Sequence, residues 1–205
     1  MYRSNSARVV PIVILAVVTI ALILGLVTVG RYIFGGSSTT TTDDVDQTRD
    51  QLLTVNVDRS MVMTIRGPIV GDENFLTEEV NISSSSRTYT LYNGYKDRVQ
   101  DQTSLSNNTA AYEQFIYALD KADITAPGRY TASEASDLRG ICATGRVYEF
   151  GLYDGSARLQ WYWTSTCKGS PGTLGASVDQ VVNLFTKQIP GVKMEFASTS
   201  NQLTW

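Results

Sequence analysis

Ser165 and Lys168 stand at the S-x-x-K spacing that sets a lysine one turn from a nucleophilic serine in penicillin-recognising enzymes. That chemistry needs the pair at a helix start, with S-D-N and K-T-G partner elements. The chain has neither element, and its motif falls in an extended stretch that includes Cys167, so the match reads as coincidence. Gly169, Gly172 and Gly175 precede a helical pattern, where backbone amides can face a phosphate. The run lacks the G-K-[ST] ending of a P-loop and the G-x-G opening of a dinucleotide site, and a crossover between elements is expected there. Asp72, Glu73, Glu78 and Glu79 are of the type that hydrolyses glycosides or binds calcium, but they match neither spacing. They read as a solvated acidic loop, and no metal site is expected.

The 205 residues contain no His, which excludes Ser-His and Cys-His nucleophiles, His-ligated zinc and imidazole acid–base steps. Seventeen basic residues against 20 acidic ones give a formal charge of −3, which offers no electrostatic footprint for nucleic acid. No complete catalytic motif or cofactor signature is present, and a non-enzymatic role is expected. Aromatic residues carry more information: there are eleven Tyr and three Trp. Tyr92 and Tyr95 flank one expected turn, and Tyr153 sits at the tip of another. Such side chains beside polar groups suit contacts with sugars or proteins, although packing is their commoner use in sheets.

The elements that position these residues follow from periodicity. Val55, Val57, Met61, Met63 and Ile65 alternate with mostly polar neighbours, with Arg59 as the exception, and Gly67-Pro68 ends this half-buried strand. Residues 87–92 and 95–100 flank Asn93-Gly94, a strong hairpin signal. Tyr112, Phe115, Ile116 and Leu119 then form one stripe of a helix at about 109–122, with Asn107-Asn108-Thr109 offering caps. Thr131 and Glu134 have capping-box spacing for a short helix at 132–139. Ser177 and Gln180 repeat that spacing before a stripe of Val178, Val181, Val182, Phe185 and Ile189, closed by Pro190-Gly191.

Between Ile141 and Lys168, Asp154-Gly155 separates two aromatic-rich runs. With those two residues as the centre of the turn, Tyr153 faces Ser156, and the register carries outward until Cys142 faces Cys167 at a non-hydrogen-bonded site. Cα atoms approach there to ~4.5 Å, close enough for a disulfide. The same register sets Tyr148 against Trp161, Phe150 against Leu159 and Arg146 against Trp163 on a core face. Glu149 against Gln160 and Gly151 against Arg158 form a polar face, together with Tyr162. A β-bulge would break this register. The candidate binding surface is Glu149, Tyr153, Arg158, Gln160 and Tyr162. The expected fold is α+β: an antiparallel sheet of two hairpins, each followed by a helix, behind an N-terminal membrane helix.

Val9 to Val29 is a charge-free run whose only polar side chains are Thr19 and Thr28. It is long enough for a bilayer and too long for a cleaved signal, and no A-x-A site follows it. The expected organisation is a cytoplasmic segment at 1–8, a signal anchor at 9–32, a flexible linker at 33–50 and an extracytoplasmic domain at 51–205. Arg3 and Arg8 before the span favour a cytoplasmic N-terminus, and a disulfide agrees with the outer compartment. Its expected contacts are the lipid bilayer through 9–32 and an envelope protein or glycan, with no nucleic acid. The pattern G-x-x-Y-E-F…W-x-T-S-C-x-G, then V-x-x-L-F-x-x-Q-I-P, from Gly145 to Pro190, resembles single-pass envelope proteins of candidate-phylum bacteria. That resemblance implies a tethered extracytoplasmic protein and assigns no activity. The expected function is therefore binding or envelope structure at the membrane; the alternative is a carboxylate-based hydrolase of envelope glycan.

Overall fold

A computed structural model of the chain describes residues 41–130 and 137–196. The chain divides into two compact units, Met1–Asp44 and Val45–Trp205. Of the first, only residues 41–44 are described, where they open helix α1 (Thr41–Leu53). The expected span at 9–32, most of the helix expected at 132–139 and the tail from 197 lie outside the described residues. No helix among the described residues is long and apolar enough to cross a membrane.

Six strands form one antiparallel sheet: β1 (Arg59–Arg66), β2 (Leu76–Ser83), β3 (Ser86–Asn93), β4 (Arg98–Ser106), β5 (Val147–Asp154) and β6 (Ala157–Ser165). Their spatial order is β4-β3-β2-β1-β5-β6, so the first strand in sequence lies inside the sheet. Helix α2 (Thr109–Lys121) follows the β3–β4 hairpin, and α3 (Val178–Thr186) follows β5–β6. The α+β class and the two hairpin–helix units are as expected, whereas β2 stands where an acidic loop was expected.

The alternation of β1 sends Met61, Met63 and Ile65 into the core, each no more than 1 % exposed. They face Leu152, Phe150 and Tyr148 of β5 on one side and Ile82, Val80 and Glu78 of β2 on the other. Helix α2 starts where the Asn108 side chain accepts from the Ala111 N–H at 2.9 Å, and its stripe of Tyr112, Phe115, Ile116 and Leu119 lies on this face. Helix α3 adds Val181, Val182 and Phe185. Phe185 meets Phe115 edge to face at 5.0 Å and Phe150 at 5.8 Å, which joins both helices to the sheet. Each such buried side chain contributes about 1.5–3 kcal/mol of transfer free energy. Ser177 makes no side-chain capping bond, so the capping contact expected there is not made.

The expected linker at 33–50 is helical from Thr41 onward, and the end of α1 is docked. Leu52 is 1 % exposed in the core. Arg49 gives two hydrogen bonds to Asp120 of α2, at 2.6 and 2.9 Å, and this guanidinium holds the Asp120 carboxyl below its usual range. Gln160 of β6 donates to the Thr48 carbonyl at 2.6 Å. The segment's composition suggested a tether because its binding partners lie more than 70 residues away in sequence.

The β5–β6 register also differs from expectation. Gly155, with φ +55°, takes the first central position of the turn and Ser156 the second, so Asp154 pairs with Ala157. Asp154 stays in the strand, 3.1 Å from Arg59 Nε. A bulge between Leu152 and Tyr153 then shifts the ladder, setting Leu152 against Gln160, Gly151 against Trp161 and Glu149 against Trp163. None of the five opposed pairs expected from the sequence forms. The Cys142–Cys167 disulfide exists all the same, with Cα atoms 5.6 Å apart, and it closes the loops beyond the strand ends.

Candidate functional site

Side chains alternate along each strand, so Val62, Thr64 and Arg66 of β1 point away from the core. All three described helices pack on the opposite face through the core cluster. On the open face the pairing builds one transverse row. Thr64 lies between Glu79 of β2 and Glu149 of β5, with Thr90 beyond Glu79 and Trp163 beyond Glu149.

A cleft of about 440 Å³ crosses this face over β2, β1, β5 and β6. That volume is within the range of small-ligand sites. Aromatic rings frame it. Gly151 stands opposite Trp161 and has no side chain, and the Tyr153 ring packs into the space a Cβ would take, with Cε2 at 2.6 Å from that position. The shared turn of β3 and β4 brings Tyr95 onto Phe75, with ring centroids 4.0 Å apart and planes 11° from parallel. Aromatic side chains thus border the cleft at both ends.

The polar groups between them are arranged in ion pairs. Arg66 Nε is 2.9 Å from Glu149 Oε1, yet it is not aligned for a hydrogen bond. Glu149 Oε2 accepts from Trp161 Nε1 at 3.2 Å. Lys96 pairs with Glu79 and lies 5.5 Å above the Tyr92 ring. Arg158 stacks on Trp161 at 4.7 Å, and no described carboxylate pairs with it. The Thr77 hydroxyl, at the cleft floor and 1 % exposed, has no hydrogen-bond partner among the described residues.

A smaller apolar recess of about 170 Å³ adjoins the cleft and shares Arg66, Phe75, Tyr95 and Leu138 with it. Its far wall is the disulfide loop at Ile141 and Cys142. Leu138, Cys142, Val147 and Trp163 form a second small core beneath that loop. The disulfide therefore fixes one wall of the recess.

Of the expected binding residues, Glu149, Tyr153 and Arg158 border the cleft. Gln160 and Tyr162 do not, because the shifted register turns them toward the core. Gln160 binds α1, and Tyr162 donates to Gln160 Oε1 at 3.1 Å. Burial pushes the Tyr162 hydroxyl up to about 12. Trp161, expected in the core, lines the cleft, and Leu159, also expected there, is 39 % exposed. Thr64 and Arg66 were visible as the outward positions of β1, while the roles of Phe75 and Thr77 depend on strand pairing.

The acidic group is divided between the two sheet faces. Asp72 and Glu73 are in a 3-10 turn (Asp72–Asn74), Glu79 faces the cleft and Glu78 is buried. Glu78 accepts from the Tyr89 hydroxyl and from the N–H groups of Glu195 and Phe196, and burial pushes its carboxyl above the usual range. Ser165 of the S-x-x-K match donates to the Ser170 carbonyl at 2.6 Å, and the glycine-containing crossover runs along β6, where Leu174 N–H reaches the Trp163 carbonyl. Among the described residues no group of three or more His, Cys, Asp or Glu is arranged to hold a metal ion. No protein-family model matches this chain, and no curated protein matches it either.

Proposed function

We propose that this protein is a single-pass, membrane-anchored binding protein that uses the cleft on its open sheet face to hold an extracytoplasmic ligand. The observation that carries this reading is the cleft itself. Its aromatic ends, paired charges and unsatisfied threonine hydroxyl are the chemistry of a binding surface, and the described helices pack on the other face. The anchor at 9–32 and the outer location rest on the charge-free run and its flanking arginines, and the disulfide supports them. The likeness to single-pass envelope proteins agrees with that location and adds no site.

A photo-reactive side chain at position 153 of the full chain tests the cleft in intact cells, with the exposed Tyr117 position on α2 as reference. Adducts are expected at 153, absent at 117 and lost when Arg158 is also replaced by Ala; equal adducts at both positions would discard the cleft. An impermeant thiol reagent tests the location. Labelling of Cys142 and Cys167 is expected only after impermeant reductant, and labelling that needs cell lysis instead would reverse the orientation.

One observation favours a second reading, hydrolysis of envelope glycan. Glu79 and Glu149 face the same cleft from β2 and β5, on either side of Thr64, which supplies the pair of carboxylates that such hydrolysis needs. Release of new reducing ends from cell-wall glycan, abolished by Glu79→Gln and by Glu149→Gln, would establish that reading.

A further inference from the structure

We infer that the ligand of this cleft is an acidic polysaccharide chain, with sugar rings packed on its aromatic ends and a carboxylate at Arg158. The inference rests on the binding reading above and names the ligand class. Four observations converge on it.

The cleft lies in the middle of the sheet, where the main-chain groups of β1, β2 and β5 are already paired on both sides. A peptide binding by strand addition needs a free edge, which in this cleft only β6 offers, so over β1, β2 and β5 recognition comes from side chains. Those side chains are hydroxyls and carboxylate acceptors set between aromatic rings: Thr64, Thr77, Glu79 and Glu149, with Phe75 and Tyr95 at one end and Trp161 at the other. A sugar ring presents C–H groups to aromatic faces and hydroxyls, both donors and acceptors, around its rim. It thereby satisfies both kinds of group at once.

The Thr77 hydroxyl is the second observation. It is buried at the cleft floor without a partner, and such a group costs about 1–3 kcal/mol unless something satisfies it. Arg66 is the third, because its buried Nε lies 2.9 Å from Glu149 without an aligned hydrogen bond, so the pair is held by charge while the side chain stays 29 % exposed at the cleft. The fourth is the charge balance. Arg66 with Glu149 and Lys96 with Glu79 cancel in pairs, and Arg158 remains with its guanidinium held over Trp161. A cation stacked on an indole keeps its N–H edges for a carboxylate. Glu79 and Glu149, neutralised by Lys96 and Arg66, keep oxygens that accept from sugar hydroxyls, which acidic peptide side chains do not supply. From β2 to β6 the cleft spans three strand spacings, about 14 Å, which suits several linked rings better than a single one.

The test is titration calorimetry of the full-length protein with three soluble probes: tetragalacturonate, the neutral cellotetraose and a tetraglutamate peptide. The acidic sugar is expected to bind at least tenfold tighter than the neutral one, and the peptide more weakly than either. Trp161→Ala should weaken both sugars by up to about tenfold, with Trp161→Phe intermediate. Arg158→Gln should bring the acidic-to-neutral ratio close to one, and Arg158→Lys should restore part of it. A ratio is insensitive to general loss of folded protein, which would lower both affinities together. Peptide binding as tight as tetragalacturonate would overturn the inference, and so would a preference that survives Arg158→Gln. If neither sugar binds while position 153 still forms adducts in cells, the sugar assignment is wrong and the binding cleft stands; if the adducts are absent too, both fall.

Discussion

The two faces of this sheet are built from the same strands and differ in what lies against them. On the covered face Met63, Ile65, Val80 and Phe150 have no exposed surface, and α2 and α3 fill the space above them. On the open face the alternate residues of the same strands are threonines, paired ions and a glycine, and the space above them is a cleft. One set of positions maximises buried apolar area; the other leaves hydrogen-bonding groups available at some cost in stability. This division of labour predicts that stability and ligand capture will respond to different halves of the alternation.

The largest effect belongs to the covered face. Phe150→Ala should cost about 3–5 kcal/mol in denaturant unfolding, because the surrounding core cannot collapse onto the missing ring. Replacing Cys142 and Cys167 together with Ser comes next. With 25 residues of sequence separation, loss of the cross-link should cost about 3 kcal/mol and should also loosen the recess wall, read as faster amide exchange at 138–142.

Third is the pH response of Glu78. Its carboxyl is raised in the fold, so the folded state keeps a proton that the unfolded chain releases above about pH 4.5. Its contribution is complete below that pH and is lost as pH rises through the folded value, with a slope of at most about 1.4 kcal/mol per pH unit for one proton. The difference between wild type and Glu78→Gln across pH 4 to 7 isolates this term from the opposite trend of Asp120.

On the open face, Thr77→Val should raise stability by about 1 kcal/mol, since an isosteric methyl relieves an unsatisfied hydroxyl. Loss of stability there would mean that Thr77 has a partner after all. Smallest is Arg158→Gln, expected within about 0.5 kcal/mol in a melt because the side chain is exposed and unpaired by any described carboxylate. A larger loss would blur the distinction between the two faces.

The covered face was legible because its signals are local. The stripe of Tyr112, Phe115, Ile116 and Leu119 and the alternation of Met61, Met63 and Ile65 can each be read within one element, and both lie where periodicity put them. The open face was only partly legible. Glu149, Tyr153 and Arg158 reached the cleft, but the pairing behind that expectation was wrong. One glycine shifted the turn, and one bulge between Leu152 and Tyr153 shifted the ladder again, which sent Gln160 and Tyr162 inward and Trp161 outward. Strand β2 went unread because Glu78 and Glu79 look like a loop in sequence. Only the Tyr89 hydroxyl and the 195–196 backbone explain how a carboxylate sits in a strand core. The disulfide was foreseen through a register that does not exist, since the two cysteines meet in loops beyond it.

The interior position of β1 also bears on how the chain assembles as it is made. β1 to β4 form a continuous meander of near neighbours that can pair as soon as they emerge, but the other flank of β1 waits for β5, about 80 residues later. Until then Met61, Met63 and Ile65 belong to a temporary outer strand with open backbone groups, the kind of edge that recruits other chains. Pairing across so long an interval is slow. The vulnerable moment in this protein's life is therefore the interval before residue 147 arrives, and a holding chaperone would act on that strand.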